Sequence, residues 1–419
     1  MKKIRLGVIG VGNMGSGHLQ NVIDGKCPKV EVTAVADINP QKLVNAQKKQ
    51  PSLTCFDNTE QMLDSGLIDA ALIAVPHYSH PDYAIACFRR GIHVITEKPA
   101  GVYAGQVQKM NEAAENAGVK FGIMFNQRTN PLYKKAREIV QSGALGKSKR
   151  LVWIVTNWYR TQAYYDSGSW RATWNGEGGG VLLNQAPHNL DLWQWIFGMP
   201  KKIRGFCTAG KYHNIDVEDD VTIYGEYENG ATATFITTTG EAPGTNRLEI
   251  AGDLGKLVLE NGILKWWKLA VPEREFCFNS KEGFLCPDTQ YEEYSQEAPD
   301  GHSVILENFA EAILDGAELI ADGREGLNSL SISNAAYLSS WTNDWAEIPT
   351  DEKLFEKYLA KLCRRENGKK NPSENYDTAI SNIPMSTAVS TNKRVTTLFT
   401  SPYTNSMENS STDRAIKHT

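Results

Sequence analysis

The sequence predicts an α/β chain in two parts: an N-terminal parallel sheet wound with helices, then an α+β region built on a large, mostly antiparallel open sheet. Three observations carry that prediction. The chain opens on an apolar run, Ile4 to Ile9, followed at once by glycines at 10, 12 and 15. Short apolar runs then alternate with helix-period segments to about residue 125, the rhythm of a doubly wound sheet. Beyond residue 150 the texture changes to short strands separated by turn dipeptides.

The first strand and its glycines come first in order. Gly10, Gly12 and Gly15 stand in G-x-G-x-x-G spacing. The first permits a tight turn, the second lets a pyrophosphate approach bare backbone, and the third lets the next helix pack on the strand. That helix, from about residue 15 to 24, aims free N–H groups at the phosphates, with Asn13 and Met14 in the loop. A second parallel strand, Val30 to Asp37, ends in a carboxylate about 20 residues beyond the last glycine, where a ribose diol would bind. An acid there also repels a 2′-phosphate, which favours NAD over NADP. Asp37 can at the same time cap the helix that starts at Asn39 and Pro40.

Residues 68–76 form another apolar strand, closed by Val75 and Pro76, with His77 and His80 just past its carboxyl end. Ligands of open parallel sheets lie at such ends, so this loop is expected to line the ribose and nicotinamide. Two histidines three apart also have a metal-ligand spacing, but no acid or third histidine joins them locally, and no metal is assigned. A helix over 82–90 leads to the strand 93–96, which ends in Glu97-Lys98-Pro99. Lys98 there falls beside the nicotinamide, with Glu97 as its charge partner; the plainer alternative is an exposed salt-bridged turn. A helix from Ala104 to Asn116 and a strand from Val119 to Phe125 complete the first domain, 1–125.

The second domain is expected over 126–367. Gln127 and Arg128 lie at its entrance, Gln127 near the nicotinamide and Arg128 toward the substrate. After a β-rich run from Leu151, the loop carries Trp158, Tyr159, Tyr164, Tyr165, Trp170, Arg171 and Trp174. Packing would explain such a density of aromatics. So would a pocket wall for a sugar or polyol ring, whose C–H faces are apolar and whose edges need hydrogen bonds. The segment Gly178 to Gly198 follows. Read as a helix, it sets Asn184, His188 and Asp191 on one face, with Leu192, Trp195 and Ile196 toward the core, although Pro187 starts or kinks it. A histidine there is either a core residue or a catalytic base. Strands alternate from 203 to 269 around Glu228-Asn-Gly230, Gly252-Asp-Leu-Gly255 and Glu260-Asn-Gly262. Helices are expected at 302–315, 325–342 and 351–364. Residues 368–419 are rich in Ser, Thr and Asn, the composition of a disordered or loosely attached tail.

Composition bounds the function. A chain of 419 residues exceeds one ordinary core. A formal charge of −5 and a pI near 6.0 argue against nucleic-acid or acidic-membrane partners. No apolar run is long enough to span a bilayer. Seven scattered cysteines with no C-x-x-C pair suit reduced thiols in a cytoplasm and exclude a cysteine zinc site. There is no internal repeat.

Together these residues resemble the glucose–fructose oxidoreductase and inositol dehydrogenase family (Gfo/Idh/MocA) over roughly residues 3–365. The resemblance rests on the glycine loop with His18 just after, Asp37, Val75-Pro76 with His80, Glu97-Lys98-Pro99, and the three glycines from Gly178 with His188 and Asp191. It implies a Rossmann domain joined to an α/β domain whose open sheet forms a homo-oligomer, a dimer or a tetramer. It also implies NAD(P)-dependent oxidation or reduction of a sugar, polyol or derivative. In that reading His188 is the base, with a pKa near working pH, Lys98 stabilises the alkoxide, and Asn184 holds His188. Trp158, Tyr159, Arg171 and Asn189 hold the substrate. Many members carry an aspartate where this chain has Asn184, which orients an imidazole without supplying charge, and the tail has no counterpart. Two rival readings keep NAD: a glycoside-cleaving enzyme working by transient oxidation and elimination, and a non-catalytic sensor.

Overall fold

A computed structural model describes residues 2–369; the expected tail lies outside them, except that the last helix runs on to Lys369. The first sheet has six strands: β1 (Ile4–Ile9), β2 (Val30–Ala36), β3 (Thr54–Phe56), β4 (Ala70–Ile73), β5 (His93–Thr96) and β6 (Phe121–Ile123). Their order is β3-β2-β1-β4-β5-β6, and every neighbouring pair is parallel. The strands are apolar almost throughout, because helices cover both faces of a parallel sheet. Between them run α1 (Asn13–Ile23), α2 (Pro40–Lys49), α3 (Thr59–Asp64), α4 (His80–Phe88) and α5 (Ala104–Ala117). Strand order reverses between β1 and β4, and a crevice opens there outside the carboxyl ends. This is the expected Rossmann sheet, with β3 and α3 added.

After β6, α6 (Pro131–Gln141) starts on Asn130, whose side chain accepts the Leu132 N–H. Then come β7 (Ser148–Val155), α7 (Gln162–Asp166) and α8 (Pro187–Phe197). The second sheet continues through β8 (Lys202–Ala209), β9 (Glu218–Glu226), β10 (Thr232–Thr238), β11 (Asn246–Gly252), β12 (Gly255–Glu260) and β13 (Ile263–Leu269). The rest of the described chain is α9 (Glu273–Asn279), β14 (Thr289–Ser295), α10 (Gly301–Leu314), α11 (Gly326–Thr342), β15 (Ala346–Glu347) and α12 (Glu352–Lys369). The nine strands lie in the order β14-β13-β12-β11-β7-β10-β9-β8-β15, and the β7–β10 pair alone among them is parallel. The large, mostly antiparallel sheet is therefore present, and the three turn signals fall between β9 and β10, β11 and β12, and β12 and β13.

Period-two burial shows which face meets the helices. Leu151, Trp153, Val155, Ala233, Phe235, Val221 and Ile223 are buried, while Val152, Ile154, Thr232, Thr234 and Ile236 alternate with them and stay partly open. α8 lies on the buried side through Leu192, Trp193 and Ile196, with Trp193 stacked on Phe235 at 5.8 Å between centroids. Burying such side chains contributes about 2–3 kcal/mol each, which fixes the helix on the sheet. Trp195, expected in this core, is only half-buried and instead covers the guanidinium groups of Arg128 and Arg137 at 5.4 and 4.5 Å.

Candidate active site at the sheet crevice

The glycine loop forms an open cradle. Gly10 has φ +87, and a Cβ there would meet the Ala74 carbonyl oxygen at 2.7 Å. A Cβ on Gly15 would collide with the Gly10 carbonyl. Gly12 differs: its Cβ would face nothing closer than Lys42 Nζ at 3.8 Å. The chain itself needs the first and third glycines, whereas only an incoming group needs the space at the second. α1 begins at Asn13 with no side-chain cap, and Asn13 and Met14 are exposed, so its first N–H groups remain for a ligand. Asp37 stands at the end of β2. One oxygen accepts the Val11 N–H at 2.9 Å and the other the Asn39 N–H at 2.8 Å, with Lys42 Nζ 3.5 Å away. Each oxygen keeps a further lone pair for a ribose diol. Asn39, not Asp37, caps α2. Val75 and exposed Pro76 form the rim across the crevice. These residues fit a dinucleotide.

His80 does not line the cradle. It is 1% exposed, with Nδ1 2.8 Å from the Pro99 carbonyl and Nε2 2.7 Å from the Val75 carbonyl. It ties the β4 loop to the β5 loop and so shapes the rim from behind. His77 is likewise buried against the Glu177 carbonyl, at 3.0 Å. Among the described residues no group of three or more His, Cys, Asp or Glu is placed to hold a metal.

Glu97 and Lys98 diverge. The Glu97 carboxylate turns inward, 2.6 Å from His18 Nε2 on α1, and also accepts the Lys98 backbone N–H at 3.3 Å. Burial alone raises its pKa, but the His18 hydrogen bond and the nearby positive charges outweigh burial and hold it down to about 2. The His302 ring of α10 packs edge-on to His18 at 5.4 Å, and its Nδ1 lies 3.2 Å from Asn126 Nδ2. Lys98 Nζ reaches the other way and donates to the Asn184 carbonyl at 2.9 Å. Burial lowers the Lys98 pKa, with Glu97 and Glu177 opposing and Arg160 and Arg171 adding to the fall.

Asn184 departs from its expected place. Pro187 takes the first turn of α8, so the helix starts after Asn184, and residues 184 and 188 do not share a helix face. The Asn184 side chain bonds the Glu177 carboxylate, and its Oδ1 lies 3.4 Å from the Tyr164 hydroxyl. It does not hold His188, whose Nδ1 is buried with no partner among the described residues. Burial, reinforced by the Lys98 charge, lowers the His188 pKa to about 3, so the expectation of a pKa near working pH is also overturned. Lys98 is nonetheless near enough for its charge to act on the ring, its amine bonded to the Asn184 carbonyl four residues before the histidine.

The aromatic loop divides. Tyr165 and Trp174 are core residues, the first bonded to Thr239, the second packed edge-on to Tyr337 and Trp341. Trp158, Tyr159, Tyr164, Trp170 and Arg171 stay accessible, Tyr159 at 49%. Asn189 is 4% exposed, and its Oδ1 lies 3.3 Å from the Trp158 indole nitrogen, so it positions Trp158 rather than lining the wall. Arg128 cannot reach a substrate. It is 1% exposed and forms a two-pronged pair with Asp191 at 2.8 and 2.6 Å, with Glu325 at 2.6 Å. Gln127 sits half-buried in the turn after β6, with no such tether.

Four supports escaped the sequence reading. Buried Glu177 accepts the Ala172 N–H and Asn184 Nδ2. Glu218 accepts the Gly180 and Leu182 N–H groups, each at 2.9 Å, and the Tyr337 hydroxyl. Glu366 of α12 accepts the Trp174 and Asn175 N–H groups, each at 2.9 Å. His302 adds an imidazole from α10. Only Glu177, a lone acid inside Gly-Glu-Gly-Gly-Gly, carried a local signal.

Comparison with known proteins agrees with the two sheets. Residues 4–125 match the oxidoreductase family model with an NAD-binding Rossmann fold, and residues 133–258 match the C-terminal domain model of GFO/IDH/MocA. The rhizopine catabolism protein MocA of Rhizobium meliloti is 29% identical over 198 residues, 47% of this chain and 58% of that protein. The myo-inositol 2-dehydrogenase of Thermotoga maritima is 25% identical over 268 residues, 62% of this chain and 75% of that protein. Among solved structures, the WlbA dehydrogenase from Bordetella pertussis, in complex with NADH and UDP-GlcNAcA, superposes with a TM-score of 0.72 at 26% identity, covering 84% of this chain and 99% of that one.

Proposed function

The chain belongs to the GFO/IDH/MocA family of oxidoreductases with an NAD-binding Rossmann fold, and on that premise we propose that it reversibly oxidises a secondary hydroxyl of a sugar, glycoside or inositol with NAD. One observation carries the reading. Lys98 leaves the carboxyl end of β5 beside the dinucleotide crevice, and its amine is bonded to the Asn184 carbonyl at the approach to His188. When bound, NAD accepts the hydride. The chain supplies the rest. His188 is neutral at physiological pH, so its lone pair is available to take the hydroxyl proton. Lys98 donates to the same oxygen and stabilises the charge that develops on it. Glu97, fixed by His18, and Asn184, through its carbonyl, position the lysine. Trp158, Tyr159 and Arg171 hold the sugar, and Gln127 borders the nicotinamide.

Asp37 favours NAD over NADP, because a carboxylate repels a 2′-phosphate. The open face of the nine-stranded sheet, with Phe206 54% and Tyr224 37% exposed, is the proposed surface for a homo-oligomer. No helix among the described residues is long and apolar enough to cross a membrane, and all seven cysteines are free thiols. A reducing cytoplasm is the proposed compartment. A panel of sugars, glycosides and inositols tests the function by NADH absorbance. Lys98→Ala and His188→Ala should each lower hydride transfer by about 10²-fold or more with NADH binding kept. Unchanged turnover in both variants refutes the assignment.

A further inference from the structure

Two guanidinium groups share one ring at the mouth of this site. Arg160 lies 5.1 Å from the Tyr164 centroid and 5.9 Å from that of Trp158, and Arg171 lies 4.7 Å from Tyr164 and 4.7 Å from Trp170. Both are half-buried. Arg160 donates to the Trp158 and Tyr159 carbonyls, and Arg171 donates to the Tyr164 hydroxyl at 2.9 Å. Among the described residues neither forms an ion pair with a carboxylate; Arg89, Arg137, Arg204 and Arg274 share that condition, while Arg5, Arg90, Arg128, Arg150, Arg247 and Arg324 are paired. In a chain with 49 acids against 44 Lys and Arg, two neighbouring unpaired arginines are a local excess. Stacking on aromatic faces keeps the planar groups in place while leaving N–H edges for a ligand.

The pair connects directly to the reacting centre. The Tyr164 hydroxyl that receives Arg171 also lies 3.4 Å from Asn184 Oδ1, and the Asn184 carbonyl receives Lys98. The local acids are hydrogen-bonded elsewhere, Glu177 to Ala172 and Asn184 and Glu97 to His18, while the charges of Arg171 and Lys98 still act on Glu177. Lys98, Arg160 and Arg171 thus outnumber Glu97 and Glu177. At Lys98 burial lowers the pKa, the charges of Glu97 and Glu177 oppose that fall, and both arginines add to it.

We propose that the substrate is an anionic carbohydrate, its carboxylate or phosphate seated on Arg160 and Arg171 while its carbinol lies at Lys98 and His188. This rests on the oxidoreductase reading above and narrows its substrate class. Charge-assisted, forked hydrogen bonds give the acid group both affinity and orientation. A neutral polyol would leave both guanidinium groups without an anionic partner.

The test compares glucose, glucuronate and glucose 6-phosphate as substrates at low and high salt. The favoured acid should exceed glucose in kcat/KM by about 10- to 100-fold, with the margin shrinking as salt rises. Preference for the uronate identifies a carboxylate site, and preference for the sugar phosphate a phosphate site. In Arg160→Gln and Arg171→Gln the acid-to-neutral ratio should fall toward one, with melting midpoints reporting that both variants fold. Glucose used as well as either acid, or a ratio kept in both variants, overturns the proposal. Absence of turnover with every sugar would count against the oxidoreductase reading instead. Calorimetry on the NADH-loaded protein then decides the present point: acid binding lost in the Arg171 variant supports it, and no preference for acid over glucose ends it.

Discussion

Protonating His188 should destabilise the fold, and the size of that effect follows from its surroundings. The ring is buried, its Nδ1 has no partner among the described residues, and Lys98 repels added positive charge, so its pKa falls from 6.5 to about 3. The unfolded chain takes up this proton below about pH 6.5, while the folded chain resists it until about pH 3. The stabilisation is therefore complete above 6.5 and is lost progressively as pH falls through that window. At about 1.4 kcal/mol per pH unit the whole window corresponds to about 5 kcal/mol, and the portion down to about pH 5 to about 2 kcal/mol. Denaturant midpoints and slopes of wild type and His188→Gln, compared near pH 7 and near pH 5, isolate it, because buried His77 remains in both proteins. Wild type should lose about 2 kcal/mol more than the variant over that step. The same neutrality predicts that kcat/KM shows no acid limb near 6.5 belonging to His188. Parallel losses of stability, or an activity inflection near 6.5 traceable to this ring, would refute the account of a buried imidazole held neutral.

The glycine loop offers a separation of fold from binding. Gly12→Ala should fold normally and lose dinucleotide affinity, whereas Gly15→Ala should unfold, since its Cβ meets the Gly10 carbonyl; NADH fluorescence and circular dichroism distinguish the two. Arg128→Met leaves Asp191 and its neighbours buried without their cation and should lower stability by about 3–5 kcal/mol. A raised KM with stability intact would instead return Arg128 to the substrate. Glu366→Ala removes the acceptor of the Trp174 and Asn175 N–H groups. It should lower stability by about 1–3 kcal/mol and raise KM more than it lowers kcat, because the loop carrying Arg171 and Glu177 loosens.

What the sequence disclosed followed the range of the signal. The cofactor half was legible because its determinants are local: a strand, three glycines, a helix start and an acid at the next strand end all lie within residues 4–37. The antiparallel sheet was legible from alternation and Asn-Gly turns. β14, Thr-Gln-Tyr-Glu-Glu-Tyr-Ser, was not, because it is exposed along most of its length and carries no buried period-two pattern. β3 and α3 are too short to impose a period.

The side chains of the site were harder, because chemistry-bearing residues look alike in a string whether they face a ligand or each other. Arg128 and Asp191 each fit a binding role alone; only the fold shows that, 63 positions apart, they satisfy each other at 2.6 and 2.8 Å. His80 was placed on the cofactor because it follows a strand end, yet both its nitrogens meet carbonyls. Asn184 failed for a nearer reason. The i, i+4 spacing to His188 presumed one continuous helix, and Pro187 makes the turn before it non-helical. The consequence is chemical as well as geometric. With Asn184 turned toward Glu177, the polarity around His188 is set by Lys98 and burial rather than by an orienting partner. Under the proposed mechanism a ring so placed stays neutral throughout the physiological range and takes its proton from the substrate hydroxyl. Under the same mechanism, a charged group on the substrate held by Arg160 and Arg171 would fix which hydroxyl is presented to Lys98 and His188.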